Sequence, residues 1–156
     1  DYFTSNNKEK FDKYTDTLLY LAARNEHVKN KIKPALNKKK VVICDRFTDS
    51  TIAYQVDGKK VDINFINNIH KKILEGIKPN IVFILKVSSK SSKSRLIKRK
   101  TKNRYDNFAQ SFYAKAQRSF IKLSKNKKNY FVLDSSSNNN ILEKKIFSIV
   151  NKYLKT

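Results

Sequence analysis

Apolar positions along this chain follow two alternating patterns. Phe11, Tyr14, Leu18, Leu19, Ala22, Ala23, Val28, Ile32, Ala35 and Leu36 recur mostly at steps of three and four, which places them on one side of a helix, or of two helices in series. Pro34 is expected to bend or restart that helix, because its ring removes a donor and crowds the carbonyl four residues back. Residues 41–44, 81–85 and 130–133 are instead short unbroken apolar runs rich in β-branched and aromatic side chains. Such runs suit strands buried on both faces of a parallel sheet. Between them the helical period returns. It predicts a helix from 48 to 54 capped by Asp49 or Ser50, another over 61–75 ending near Gly76, a long one over 105–124, and a last one over 140–154 with Ile141, Ile146, Ile149, Val150 and Leu154 on its buried side. Residues 1–10 are polar and aperiodic and read as loop, and 87–100 turn strongly basic.

Short buried strands each followed by helical sequence imply right-handed crossovers and a mostly parallel sheet covered by helices on both faces. That is an α/β architecture of the nucleotide-binding kind. The 156 residues suffice for one domain, and 39% hydrophobic residues supply its core. No apolar run approaches the ~18 residues of a membrane span, and no leader with a charged start and apolar middle is present; a soluble, cytoplasmic protein is expected. One cysteine, Cys44, with only His27 and His70 as other soft ligands, excludes a disulfide scaffold and a structural zinc site.

The formal charge of +22 raises a basic nucleic-acid-binding module as an alternative. Its make-up argues otherwise, since 29 of the basic residues are lysines and the six arginines are Arg24, Arg46, Arg95, Arg99, Arg104 and Arg118. Base readers favour the planar arginine fork, so the charge reads mainly as a solvated lysine coat with no specific nucleic acid partner. The two glycines, Gly58 and Gly76, are too far apart for a glycine-rich phosphate loop. With no methionine and an abrupt start at Asp1, the chain is expected to be a fragment.

Residues 41–55, VVICDRFTDSTIAYQ, concentrate the chemistry. A carboxylate and an arginine follow an apolar run, then hydroxyls open a helix with a tyrosine one turn on. Asp45 at such a strand end can hold magnesium, usually through water, and Arg46 can grip a phosphate bidentately. The same spacing also fits a strand-end ion pair followed by an ordinary helix cap.

These residues, with LLYLAARNEHV (18–28), IKPAL (32–36), GIKPNIVFILKVS (76–88), RLIKRKTKNRYD (95–106) and FVLDSS (131–136), make the chain resemble thymidylate kinases of the bacterial type over essentially its whole length. The resemblance implies a P-loop NTPase-like, nucleoside monophosphate kinase fold in three layers whose first strand, glycine-rich loop and REPGG-like segment would precede Asp1. It implies a single domain, 1–156, with a lid-like segment at about 95–106. The activity it implies is transfer of the ATP γ-phosphoryl group to dTMP, giving dTDP, with Mg2+, in a homodimer; the fragment alone is expected to be inactive. Another nucleoside monophosphate kinase is the nearer alternative. By the same resemblance Tyr20 stacks on thymine, Arg24 meets the base, Arg46 grips the acceptor phosphate and Asp45 organises magnesium. Ser50 and Thr51 approach the pyrimidine edge and Tyr54 closes over the deoxyribose. Arg95, Arg99 and Arg104 would be lid arginines acting on ATP and on the charge of the transferred group, and Ser135 and Ser136 would lie near the adenine. Val56, Lys59 and Lys60 stand in a stretch the family usually makes glycine-rich with an arginine, Lys86 where an aspartate is common, and Asn103 where an aspartate precedes the lid arginine. Arg118 lies outside these motifs.

Overall fold

The structure is a computed structural model that describes residues 11–97, 110–136 and 140–155. It divides into two compact units, one ending at Lys78 and one beginning at Pro79.

The first unit is helical. Asp12 caps α1 (Lys13–His27), its carboxylate accepting the Tyr14 and Thr15 N–H groups at 2.7 and 3.3 Å, two of the donors that a helix start leaves without partners. The chain then passes through a π-helical turn, Val28–Ile32, into α2 (Lys33–Asn37). The Lys33 N–H reaches back five residues to the Val28 carbonyl. Widening the turn just ahead of Pro34 relieves the crowding its ring imposes, so the expected bend is realised as a π turn. The expected helix at 48–54 is likewise split into α3 (Thr48–Thr51) and a π segment, Ile52–Gly58. Its cap position is Phe47, with no side-chain cap bond from Asp49 or Ser50. Asp62 caps α4 (Ile63–Leu74), which stops at Glu75 and Gly76, both in the left-handed region with φ of 49° and 82°, the conformation in which glycine commonly ends helices.

Leu21, Val61 and Ile66 form the core of this unit, with Ile52, Val56, Phe65, Ile69 and Ile73 packed around them. Fully burying a side chain such as Ile66 contributes about 2 kcal/mol. The buried stripe from α1 to α2 differs in part from the expected one: Leu18, Leu19, Ala22, Ala23 and Leu36 are exposed and Asp16, Thr17 and Leu21 are buried, while Val28 and Ile32 are buried as expected. The polar members of that stripe have partners, Thr17 donating to the Lys13 carbonyl at 2.6 Å and Asp16 accepting from Lys59 through Oδ2, so they can be buried where periodicity alone expects leucines. The second correction concerns residues 41–44. They are irregular and outside the sheet, with Val41 and Ile43 64% and 95% exposed. A β-branched run becomes a strand only where neighbouring backbone completes its hydrogen bonds, and no described segment of this unit does so.

The second unit is an α/β arrangement. β1 (Val82–Lys86) and β2 (Tyr130–Asp134) pair in parallel, Val82 opposite Tyr130 and Lys86 opposite Asp134. Between them run α5 (Ser89–Ile97) and α6 (Gln110–Ser124), and α7 (Asn140–Leu154) closes the chain. Ile84, Leu133 and Ala116 are buried, and Phe83 and Phe131 meet at 5.7 Å in adjacent register. On α7, Ile146, Ile149 and Val150 are half-buried, whereas Ile141 and Leu154 are exposed. None of the described helices is long and apolar enough to cross a membrane.

Candidate functional site

In the first unit the segment after residues 41–44 turns sharply. Asp45 and Arg46 form a bend, and Arg46 has φ of 62°. For a side chain branching from an ordinary Cβ this left-handed conformation costs on the order of 1 kcal/mol, and such strain tends to persist at sites where it aims a side chain. Here the Arg46 Nη1 donates to the Tyr54 hydroxyl at 2.8 Å, and its guanidinium carbon lies 5.1 Å from the centre of the Tyr54 ring. Tyr54 sits in the π segment eight residues on. Both residues are partly open to solvent, so the pair presents a planar cation with a phenol beside it, a geometry suited to an oxyanion.

Arg24, from the last turn of α1, lies with its guanidinium carbon 5.0 Å from the centre of the Phe47 ring. Burial lowers its pKa from the ordinary arginine value, opposed by the nearby Cys44; the same burial raises the Cys44 thiol pKa, which Arg24 lowers. The Arg24 Nε is buried with no hydrogen-bond partner. Tyr20, one turn earlier on α1, is half-buried, and Ser50 and Thr51 of α3 are buried. The Asp45 carboxylate is exposed, and no group of three or more metal-binding side chains is present among the described residues. A lone carboxylate with phosphates and water completing the shell fits the habits of magnesium, which keeps several waters.

Sequence reasoning missed three features. Phe47, the aromatic directly after Asp45-Arg46, is the platform for Arg24; its place in the motif was the available signal. Asp16, 1% exposed, is held by Lys59 at 2.5 Å, tying α1 to the end of the π segment; an aspartate on an otherwise apolar face was its signal. His70 on α4 is 8% exposed, and its Nε2 is buried without a partner. Burial first, and the charge of Arg24 second, lower its pKa to about 4. Nothing in the helical pattern marked it.

In the second unit the carboxyl ends of both strands are bound into one loop. The Ser135 N–H and hydroxyl donate to the Lys86 carbonyl at 2.7 and 3.1 Å, and the Ser88 N–H donates to the Ser136 hydroxyl at 3.1 Å. Asp134 accepts the Ser136 N–H at 2.8 Å, and the Ser136 hydroxyl first, with that N–H second, holds its carboxyl below the usual range. Arg95, from α5, donates through Nη2 to the carbonyls of Ser135 and Ser136 at 2.5 and 3.4 Å. The structure thus joins Arg95 to both serines. Arg99, Arg104 and most of the lid-like segment lie outside the described residues. Arg118 is exposed.

A profile of the family described as thymidylate kinase matches residues 2–146. The chain is 36% identical over 148 residues to the thymidylate kinase of Wolbachia pipientis subsp. Culex pipiens (strain wPip), covering 93% of this chain and 70% of that one. It is 33% identical over 150 residues to the thymidylate kinase of Thermosipho africanus, covering 96% and 74%, and 43% identical over 120 residues to that of Wolbachia sp. subsp. Brugia malayi, covering 76% and 56%. It thus spans between 56% and 74% of the length of these relatives. Among solved structures it is similar to a thymidylate kinase from Ehrlichia chaffeensis, with a TM-score of 0.69, 26% identity, and coverage of 96% of this chain and 71% of that one.

Proposed function

The chain belongs to the thymidylate kinase family, phosphotransferases with a P-loop NTPase fold, and we propose that its intact protein transfers the γ-phosphoryl group of ATP to dTMP, giving dTDP. The observation that carries this reading is the Arg46–Tyr54 pair, a strained arginine held by a phenol at 2.8 Å in the motif DRFTDSTIAYQ. The family and its relatives do not favour a basic nucleic-acid-binding module or another monophosphate kinase.

On this reading Tyr20 stacks on thymine and Arg24, lying over Phe47, donates to the base. Ser50 and Thr51 line the pyrimidine edge. Tyr54 crowds the position a ribose hydroxyl would take while steadying Arg46, whose remaining donors bind the phosphate of dTMP. That phosphate supplies the attacking oxygen; a new bond forms to the γ-phosphorus as the bond to the β-phosphate oxygen breaks, and ADP leaves. Little covalent chemistry falls to the protein, so its contribution is positioning and charge stabilisation. Asp45 would hold magnesium, through water, and the ion would supply neutralisation of the phosphates. Arg95, Arg99 and Arg104 would act on ATP from the lid-like segment at 95–106, with Arg95 also fixing the Ser135–Ser136 loop beside the adenine. The organisation this reading carries is one domain, in a cytoplasmic homodimer.

The test is a coupled assay of ADP formation with dTMP as acceptor, on the intact protein and on these 156 residues alone. The intact protein is expected to turn over and to lose activity on Arg46→Ala. The isolated chain, which contains no glycine-rich phosphate loop, is expected to be inactive. Intact protein that accepts no dTMP would sink the reading.

A further inference from the structure

Helices α1 and α4 pack side by side in the same direction. Tyr14 meets Phe65 edge-on at 5.4 Å, Leu21 shares a core with Ile66, and beyond the helices' ends Lys33 pairs with Glu75. Every successive contact advances along both segments. Arg24 is three residues past Leu21 and His70 four past Ile66, so each continues the packed face by one turn. Both carry a buried polar atom without a partner, Arg24 Nε and His70 Nε2. Leaving a buried polar atom unsatisfied is costly, and two in one stretch of packing call for a common explanation.

Their chemistry is complementary in one state only. Arginine offers donors and no acceptor, whereas neutral imidazole offers one donor and one acceptor. With its proton on Nδ1, His70 presents a bare lone pair at Nε2. A protonated ring would instead set a second cation beside Arg24, and the depressed His70 pKa of about 4 keeps the ring neutral near pH 7.

We infer that His70 is a positioning residue for the base-contacting arginine: its bare Nε2 receives the Arg24 Nε–H through one buried water, and so fixes the guanidinium plane with its Nη groups turned toward the pyrimidine. The role rests on the reading of Arg24 given above. It adds a specificity element on a helix that none of the matched motifs includes, one that works through Arg24 without touching substrate. A bridging water would need only these two partners and one more, within ordinary practice for buried waters.

The experiment is steady-state kinetics of the intact protein with Arg24→Ala, His70→Leu, His70→Gln and the Arg24→Ala/His70→Leu double variant. A slightly misdirected guanidinium should raise KM for dTMP roughly tenfold in His70→Leu, with kcat and KM for ATP unchanged. His70→Gln, which restores an acceptor, should recover most of the loss, and His70→Leu should add nothing on the Arg24→Ala background. Parallel losses in kcat and both KM values without rescue by Gln would overturn the inference in favour of a purely structural histidine. If Arg24→Ala leaves KM for dTMP unchanged, the assignment of Arg24 itself fails, a distinct result. Should His70→Leu not fold, long-range 1H–15N correlation on the wild-type protein decides: an Nδ1–H tautomer is expected, and an Nε2–H tautomer would refute the inference.

Discussion

The two units treat their polar groups differently. In the second, the strand ends are closed upon themselves: Ser135, Ser136, Asp134, Lys86 and Arg95 exchange hydrogen bonds until loop and strands form one network. In the first, Arg24 Nε and His70 Nε2 are buried without partners, and Arg46 is held in a left-handed backbone. Among the described residues, no such buried orphan occurs in the second unit. A network that satisfies itself gives a rigid frame. One built from a buried donor on α1 and a buried acceptor on α4 instead holds the orientation of individual side chains. The first unit thus orients single side chains, Arg24 and Arg46, and the second fixes its own loop.

The strongest way to break this contrast is at Arg46. Arg46→Ala should lower kcat/KM for dTMP by about 100-fold or more in the coupled assay, the scale expected when a charged donor to a reacting phosphate is lost. Arg46→Gly should be equally inactive yet melt a few degrees higher by circular dichroism, since glycine adopts this φ without strain, worth about 1 kcal/mol. An activity loss with a lower melting temperature in both variants would show that Arg46 serves the fold and not a ligand.

Next is the Asp16–Lys59 pair. Lys59→Met leaves a buried carboxylate without its cation and should cost about 3 kcal/mol in urea unfolding, with Lys59→Arg close to wild type. A neutral result would mean that the Asp16–Lys59 pair does not hold α1 to the π segment.

His70 gives a smaller and pH-dependent effect. Its folded pKa of about 4 lies below the ordinary 6.5, so the unfolded chain binds the proton first. Its contribution is fully present above pH 6.5 and is lost as pH falls toward 4, by on the order of 2 kcal/mol once partial solvent screening is allowed for. Urea midpoints between pH 7 and 4.5 should show that slope in wild type and a shallower one in His70→Leu. The smallest effect is expected in the second unit. Arg95→Ala should cost about 1 kcal/mol, the worth of a charged bond to a partly exposed loop, read as faster amide exchange at Ser135 and Ser136. Unchanged exchange would mean that the loop does not depend on this arginine.

Local chemistry made much of this protein legible from its residues. The periods at 61–75 and 140–154, the punctuation at Pro34 and Gly76, and strands at 81–85 and 130–133, each within a residue of the observed one, could be read because capping, turn formation and apolar periodicity act over a few neighbouring residues. The motif DRFTDSTIAYQ carried the candidate site for the same reason, since its parts lie within one bend and one helix. Tertiary structure alone decided what depends on a distant partner. Residues 41–44 have the composition of a strand but no ladder, because backbone pairing needs a neighbour that composition cannot supply. The stripe of α1 that is buried contains Asp16 because Lys59, far along the chain, neutralises it. His70 became a candidate only when α4 lay beside α1, for a histidine in an amphipathic helix carries no mark of the arginine it will face. Sequence patterns specify what each segment can do, and packing across the chain specifies which polar groups meet.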